Sequence, residues 1–213
     1  MLPRIPEKLW KVDDSTVGDH FCLAADDQCY YIWEYTANKR FDFSPTNQLI
    51  VNLKIKPRET NRAYFKKQAI DHAAQALRSL VEQEAAERYL TFVPVPGSKA
   101  FGHPDFDDRM LKVLNQAFQG WETDIRPMLE LSESMPADHE AKDRIATEDL
   151  SNMMRLNEHL LAAPRSIIVI VDDVLNSGKH FNVAKTLISR QFQDKEIRGL
   201  FLARCIRNST SAQ

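Results

Sequence analysis

Hydrophobic residues follow two periods along the chain, and these predict strands that alternate with helices. Between residues 61 and 89 the apolar positions recur at spacings of three and four, which predicts one long amphipathic helix that Thr60 or Asn61 caps. Residues 90–96 and 166–171 are short apolar runs typical of strands that are covered on both faces. Because strands that alternate with helices form parallel sheets through right-handed crossovers, the pattern predicts an α/β fold.

The rest of the chain supplies the remaining elements. We predict helices at 110–118, 147–162 and 178–193, strands at 48–54, 125–131 and 197–205, and a strand pair within 22–35. Residues 1–20 show little periodicity and are interpreted as a loose arm, and the polar stretch 123–148 is interpreted as a mobile loop. The length favours a single domain of residues 1–213, with an N-terminal arm and hood at 1–60 and a core at 61–205.

Charge and hydropathy disfavour several classes of protein. The net charge of −2 lacks the basic excess of a protein that binds nucleic acid or a membrane surface, so we expect neither as a partner. The longest apolar run, residues 167–171, is far shorter than the ~20 residues that a membrane-spanning helix needs. The first residues also lack the apolar stretch of a signal peptide, and we therefore expect a cytoplasmic protein.

The cysteines and histidines do not predict a metal site. Cys22, Cys29 and Cys205 cannot all pair with one another, and the first two lack the second cysteine pair or histidine cluster of a zinc site. Buried free thiols are the preferred interpretation. The six histidines show no helical His-x-x-x-His spacing, so we predict no metal ion held by the protein directly.

The segment from residue 167 to residue 181 carries the strongest chemical signal. An apolar strand ends there in Asp172 and Asp173, and a short loop leads into the next helix. In an open parallel sheet, ligands bind beyond the carboxyl ends of the strands, and the N–H groups at the start of a helix bind anions. Ser177 adds a hydroxyl donor, and Gly178 lets the backbone approach a phosphate closely.

Two carboxylates beside an anion site would repel an anionic ligand unless they face a neutral part of it. Ionised carboxylates accept hydrogen bonds from hydroxyl groups, whereas the loop and the helix start receive the phosphate. A ligand with a vicinal diol and a phosphate satisfies both requirements. The residues themselves therefore point to a ribose 5-phosphate.

This segment resembles the phosphoribosyl pyrophosphate signature of type I phosphoribosyltransferases, with an apolar strand, Asp172-Asp173, two further residues and then Asn176-Ser177-Gly178. The resemblance implies a central parallel sheet flanked by helices, an N-terminal strand and helix hood, and a flexible loop. It also implies that Asp172 and Asp173 hold the ribose hydroxyls. The phosphate loop that it implies consists of Asn176, Ser177, Gly178, Lys179 and His180.

The flanking segments are most similar to the ComF-type, competence-associated branch of that family. The similarity lies in Val93-Pro-Val-Pro-Gly-Ser-Lys, in Arg109 and in the C-terminal Leu200-Phe-Leu-Ala-Arg. It covers residues 90–205 well and 30–80 faintly, and the four-cysteine zinc ribbon common in that branch is not found in this sequence. The pyrophosphate loop that the resemblance implies consists of Gly97, Ser98 and Lys99, with Arg109 as a further cation.

The resemblance also implies a reaction and its partners. Phosphoribosyl pyrophosphate binds as a Mg²⁺ complex, and the phosphoribosyl group passes to or from a nitrogenous, nucleobase-like acceptor. Lys99 and Arg109 neutralise the pyrophosphate. Asp172, Asp173 and Lys99 are then the expected catalytic residues.

Two departures from the family pattern bear on the acceptor. His180 stands where the family usually has Thr or Ser, and Asn176 stands where purine-salvage members have a proton-accepting Asp. Because an amide cannot take a proton, the second departure disfavours hypoxanthine or guanine as the acceptor. A homodimer is left open.

Residues outside the signature complete the predicted site. Three cations of the mobile loop are candidates to reach the phosphates when the loop closes, namely Arg126, Lys142 and Arg144. The alternative is that this stretch is an ordinary surface linker. The aromatic side chains that are candidates to stack on a nucleobase are Trp33, Tyr35 and Phe43, with core packing as the commoner explanation.

Other interpretations of the same segment give different functions. A receiver domain requires most of its chain to follow this strand, but only residues 174–213 follow Asp173. A P-loop requires an earlier Gly and a Ser or Thr after Lys179, and both are missing. A purely structural strand end with a helix cap at Ser177 stays open. The functional alternatives to an enzyme are a non-catalytic sensor of a phosphoribosyl ligand or nucleotide, and a ComF-like protein linked to DNA uptake.

Overall fold

A computed structural model describes residues 1–135 and 147–206 of the protein. In this part of the chain strands alternate with helices, and six of the strands form a central sheet. The strands are β1 (Trp10–Lys11), β2 (Gln28–Thr36), β3 (Leu90–Pro94), β4 (Asp124–Ile125), β5 (Leu129–Leu131), β6 (Met154–Leu156), β7 (Ile167–Leu175) and β8 (Glu196–Ile206). The α-helices are α1 (Pro45–Leu53), α2 (Ala63–Leu80), α3 (Gln83–Arg88), α4 (Arg109–Ala117), α5 (Thr147–Met153) and α6 (Lys179–Gln191).

The central sheet is mostly parallel. Its strand order is β1-β2-β8-β7-β3-β4, and every neighbouring pair is parallel except β1 with β2. Strands β5 and β6 form a separate antiparallel pair. Helices pack against the sheet and its flanking strands, so the expected α/β fold with a central parallel sheet is confirmed.

Strand β7 lies inside the sheet and is covered on both faces. Ile168 and Ile170 pack into one hydrophobic cluster, whereas Val169 and Val171 pack into the other, because successive side chains of a strand point to opposite faces. The strand predicted from the apolar run is therefore confirmed. It continues to Leu175, beyond the predicted end, and the acid pair consequently lies within the sheet instead of after it.

The predicted strand at 48–54 is wrong, because these residues belong to helix α1. The hydroxyl of Ser44 caps the helix by accepting a hydrogen bond from the N–H of Asn47 at 3.0 Å, and Pro45 occupies the first turn. The buried apolar positions have helical spacing and are Leu49, Ile50 and Leu53. The Ser-Pro pair is the start signal of this helix.

The N-terminal region also differs from the prediction. Residues 22–35 contribute one strand, β2, instead of a strand pair, and β2 pairs in parallel with β8. Residues 1–20 are not a loose arm, because β1 pairs with β2 and a 3-10 turn spans Val17–Asp19. The pairing of β2 with β8 joins segments far apart in sequence, which local patterns do not reveal.

Two predicted helices are shorter than expected. The helix expected at 61–89 divides into α2 and α3 at Val81, where the backbone is extended, with φ −99° and ψ 128°. The helix expected at 147–162 ends at Met153, where the chain enters β6 and pairs with β5.

The strand expected at 125–131 divides into β4 and β5. Elements β3, β8, α4 and α6 lie close to their predicted bounds.

The stretch interpreted as a mobile loop is described only at its two ends. Lys142 and Arg144 lie outside the described residues. Within residues 1–135 and 147–206, no helix is both long and apolar enough to cross a membrane.

Candidate functional site

The acid pair lies near the carboxyl end of β7, between the parallel strands β3 and β8. Asp172 and Asp173 are both buried. Arg109, at the start of α4, and Lys54, directly after α1, reach the same edge of the sheet and bind Asp173. Ligand sites in parallel sheets form at this edge, so the fold places the predicted acids where ligands of such sheets bind.

Asp173 is held by two cations. The guanidinium of Arg109 donates to the Oδ2 atom of Asp173 from Nε at 2.8 Å and from Nη2 at 2.5 Å. The ammonium of Lys54 lies 3.1 Å from the Oδ1 atom. Burial alone would raise the pKa of Asp173, but the charges of Lys54 and Arg109 override it and hold that pKa well below the ordinary value. Asp173 is therefore ionised at neutral pH.

Asp172 has a different environment from its neighbour. Burial and the negative charge of Asp173 raise the pKa of Asp172 to about 7. Its Oδ1 atom accepts a hydrogen bond from the backbone N–H of Asp173 at 2.7 Å. No cation of the described residues forms an ion pair with Asp172. The two acids thus differ in charge state, and Asp172 is the one that can gain or lose a proton near neutral pH.

The charge network continues away from the acid pair through Asp107. The Nη1 atom of Arg109 donates to Asp107 Oδ2 at 3.0 Å, and the ammonium of Lys66 lies 2.8 Å from the same oxygen. Lys66 also donates to the carbonyls of Leu53 and Ile55. The network therefore ties α2, the end of α1 and the loop before α4 into one support for Arg109.

Sequence reasoning missed three members of this network, namely Lys54, Lys66 and Asp107, and the neighbouring buried acid Asp105. The signal that could have found the acids is the run Asp105-Phe-Asp-Asp directly before Arg109. Asp105 is buried and pairs with Arg58 at 2.8 Å. No local signal marks the lysines, because Lys54, directly after α1, and Lys66, in α2, both precede β3 in the chain.

Gly97 connects the predicted pyrophosphate loop to Arg109. A Cβ atom at this position would lie 2.9 Å from the carbonyl oxygen of Asp107 and 3.4 Å from the Nη1 atom of Arg109. Only a residue without a side chain permits this approach of the two loops. The structure therefore brings Gly97 and Arg109 together beside Asp173, while their role toward pyrophosphate stays a prediction.

Ser98 and Lys99, the other two residues of that loop, both contact Met135. The ammonium of Lys99 donates to the carbonyl of Met135 at 3.0 Å, and the carbonyl of Ser98 accepts from the N–H of Met135 at 2.8 Å. Ser98 is exposed and Lys99 is half-buried. In this structure Lys99 fastens the loop, so its catalytic role stays a prediction.

The predicted phosphate loop forms the start of α6. Gly178 is the residue before the helix and has a positive φ of 87°, a conformation that glycine adopts without strain. Ser177 and Gly178 are buried, Lys179 is half-buried, and Asn176 and His180 are exposed. The loop thus brings exposed side chains and buried backbone together at the edge of the sheet where Asp172 lies.

The carbonyls of this loop face the N-terminal segment. The carbonyl of Asn176 accepts a hydrogen bond from the Nδ1 atom of His20, and the carbonyl of Ser177 accepts one from the N–H of Cys22 at 2.8 Å. In a trans peptide the N–H points opposite to the carbonyl of the preceding residue, and the described chain has no cis peptide. The N–H groups of Ser177 and Gly178 therefore point away from the N-terminal segment.

Replacing Gly178 by alanine tests the backbone requirement. A Cβ atom there would meet the Cδ2 atom of Leu23 at 2.8 Å in addition to the positive φ, so we expect the free energy of unfolding to fall by about 1–3 kcal/mol. Urea denaturation measures it. Gly18→Ala is the matched control, because no atom lies within 4 Å of its built Cβ. Equal stability of the two variants would contradict the prediction.

The remaining candidates have structural contacts. Arg126 pairs with Asp124 at 2.7 Å and donates to the carbonyls of residues 162 and 163. Trp33 is buried, stacks on His72 and donates from Nε1 to the carbonyl of Arg4 at 2.8 Å, so core packing explains it. Phe43 is exposed, and its role as a stacking platform stays a prediction.

The burial expected of the cysteines is confirmed for two of the three. Cys29 and Cys205 are buried, whereas Cys22 is only half-buried. Burial and the charge of Asp27 raise the pKa of the Cys29 thiol to about 12, which keeps it protonated. No disulfide framework therefore contributes to the site.

Two surface grooves of the described part of the chain have linings that do not include the acid pair. A groove of about 690 Å³ is lined by Lys56, Lys66 and Lys112 among others, and one of about 490 Å³ lies along α6. Neither is lined by Asp172 or Asp173. Lys54, whose ammonium lies 3.1 Å from Asp173 Oδ1, has a side chain that is 46% exposed, whereas that of Asp173 is 5% exposed.

No protein-family model matches the chain, and no curated protein is significantly similar to it.

Proposed function

We propose that the protein binds phosphoribosyl pyrophosphate at the carboxyl edge of β7 and transfers the phosphoribosyl group to or from a nitrogenous base. The observation that carries this proposal is the placement of two buried carboxylates next to a helix start whose loop N–H groups point away from the N-terminal segment. The mostly parallel sheet supports a fold like that of type I phosphoribosyltransferases, which the motif resembles.

The two acids have separate roles in this proposal. Asp173 is the permanent counter-ion that positions Lys54 and Arg109. Asp172 accepts hydrogen bonds from the ribose hydroxyls, because its carboxylate is not neutralised by a bound cation of the described residues. Hydroxyl donors favour the ionised carboxylate, so ligand binding lowers the pKa of Asp172 and releases a proton.

The cations beside Asp173 receive the pyrophosphate. Negative charge develops on the departing pyrophosphate as the bond to the sugar C1 breaks, and groups placed there in advance stabilise the transition state. Lys54 and Arg109 supply that charge, and the backbone near Gly97 lies next to Arg109. The sugar becomes positively charged in the same step, as in glycoside cleavage, and Asp172 offsets that charge.

Magnesium fits this site as part of the substrate complex. In phosphate-binding sites Mg²⁺ keeps several waters and takes one or two carboxylates together with the substrate phosphates. Asp172 can serve as such a carboxylate. Among the described residues, no group of three or more His, Cys, Asp or Glu side chains could hold a metal without the substrate. Bound with the ligand, Mg²⁺ would neutralise phosphate charge.

Replacing Asp172 by asparagine tests the proposal. The amide oxygen still accepts the N–H of Asp173, but the charge that receives the ribose hydroxyls is lost. We expect the affinity for the magnesium complex of phosphoribosyl pyrophosphate to fall about 10- to 100-fold, since hydrogen bonds to charged groups contribute about 1.5–3 kcal/mol. Isothermal titration calorimetry at pH 8 measures this affinity.

Asp194→Asn is the matched control for that experiment. Asp194 pairs on the surface with its neighbour Lys195 at 2.9 Å, so the same chemical change there removes no part of the site. We expect wild-type affinity for this variant. Absence of binding to the wild-type protein would refute the proposed ligand, and unchanged affinity of the Asp172 variant would refute the role of this acid.

A non-catalytic sensor is the second candidate. It is favoured by the exposed amide of Asn176, which cannot act as a base at the position where purine-salvage enzymes carry an acid. Tight binding of phosphoribosyl pyrophosphate without pyrophosphate release, across a panel of nitrogenous bases, would select the sensor. Release with any one base would select the enzyme.

A further inference from the structure

A short N-terminal segment, residues 19–23, lies against the carbonyl side of the phosphate loop. We propose that this segment, here named the strap, is a positioning element that directs the N–H groups of the loop toward the phosphate of the ligand. The inference rests on the proposed function for the identity of the ligand. The geometry of the strap stands independently of that function.

Three consecutive loop residues contact the strap. The Nδ1 atom of His20 bonds to the carbonyl of Asn176, and the N–H of Cys22 donates to the carbonyl of Ser177 at 2.8 Å. The side chain of Leu23 lies so close to Gly178 that a Cβ atom there would be 2.8 Å from its Cδ2 atom. The loop is therefore held at each of its three positions before α6.

The strap is itself fixed at both ends. Asp19 accepts a hydrogen bond from the buried guanidinium of Arg204 in β8 at 3.2 Å. At the other end, the side-chain amide of Asn182 in α6 donates to the carbonyl of Cys22 at 3.2 Å. His20 is completely buried. Because the strap is anchored on β8 and α6, these two elements fix its position against the loop.

The strap determines the direction of the loop amides. A carbonyl oxygen only accepts hydrogen bonds, so the Nδ1 atom of His20 must carry a proton. With the carbonyls of Asn176 and Ser177 bound on the strap side, the trans peptide groups turn the N–H groups of Ser177 and Gly178 the other way. Without the strap, these carbonyls are free to rotate toward the anion site, where their partial negative charge would repel a phosphate.

His20→Leu and His20→Asn test this inference. Leucine removes the hydrogen bond to Asn176, whereas the side-chain amide of asparagine supplies a donor close to the position of Nδ1. We expect the leucine variant to bind ribose 5-phosphate about 10-fold more weakly, as the loss of one hydrogen bond and of loop order implies. We expect asparagine to restore most of the affinity. Calorimetry with ribose 5-phosphate is the measurement.

His72→Leu is the matched control. The Nε2 atom of His72 bonds to the carbonyl of Pro3 at 2.8 Å, so this histidine also fastens an N-terminal carbonyl, but not one of the phosphate loop. We expect a lower melting temperature and unchanged affinity. Equal affinity of the His20→Leu and wild-type proteins, or no rescue by asparagine, would overturn the inference.

A second measurement separates this inference from the proposed function. Hydrogen exchange of the Cys22 and Leu23 amides, which donate to the carbonyls of Ser177 and His20, reports the order of the strap and the loop without any ligand. Asn182→Ala removes the other anchor of the strap and keeps the test available if a His20 variant does not fold. Faster exchange at these two amides in either variant supports the strap even if wild-type protein binds no ribose 5-phosphate, whereas wild-type exchange refutes it.

Discussion

Replacing Arg109 by methionine is expected to lower the free energy of unfolding by about 3–5 kcal/mol, the usual cost of removing one partner from a buried ion pair. The Arg109 side chain is only 15% exposed, and Asp173, which it binds through two nitrogens, is 5% exposed. Asp107 loses the same partner. Methionine fills the volume of the aliphatic stem but leaves both carboxylates without their shared guanidinium.

Urea denaturation at pH 7 measures this effect. Arg155→Met is the matched control, because Arg155 pairs with Glu130 at 2.8 Å while its side chain is 63% exposed. Exposed pairs contribute at most about 1 kcal/mol. A loss at Arg109 no larger than the loss at Arg155 would show that the network around Asp173 is not a buried support of the fold.

Asp172→Asn is expected to remove a pH dependence of stability. The folded protein raises the pKa of Asp172 to about 7, above its ordinary value, so between about pH 4 and pH 7 the folded state holds a proton that the unfolded chain releases. The stability of the wild-type protein therefore falls as the pH rises through this window, by up to roughly 1.4 kcal/mol per pH unit.

The sign of the effect distinguishes the two acids. Asp173 has a lowered pKa, so its contribution is present above its unfolded pKa and is lost as the pH falls through the folded value. This loss lies at more acidic pH than the Asp172 window. The asparagine variant should match the wild-type protein near pH 4 and be more stable at pH 8.

Urea denaturation of both proteins at several pH values between 4 and 8 is the measurement. Other titrating groups occur in both proteins, so the difference between the two curves isolates Asp172. Parallel curves would mean that Asp172 is ionised at neutral pH. If the variant is both more stable and weaker in binding phosphoribosyl pyrophosphate, the acid is retained for function at a cost to stability.

The core of the candidate site was predictable because it is local. The apolar run before Asp172 and the Ser-Gly pair at the start of α6 lie within a few residues of one another, and each feature depends only on side-chain type and spacing. The structure places them at one edge of the sheet. The same local reasoning went wrong at 48–54, where alternation suggested a strand although Ser44 and Pro45 begin a helix.

The partners of the acids were not predictable from the sequence. Nothing near Lys54 in the chain indicates that its ammonium reaches Asp173 at 3.1 Å. Residues 1–20 appeared featureless because β1 is only two residues long and His20 has its partner in another part of the chain. Short elements that are stabilised by tertiary contacts carry no periodic signal of their own.

By itself the sequence determined the buried strand β7, its acid pair and the glycine at the start of α6, because hydrophobic period and backbone preference act over a few residues. Only the tertiary structure decided which groups surround them. Arg109 binds Asp173 across 64 positions of the chain, and His20 bonds to Asn176 across 156. Contacts at such separations follow from the order in which strands pair, and that order depends on how distant surfaces pack together rather than on any local pattern.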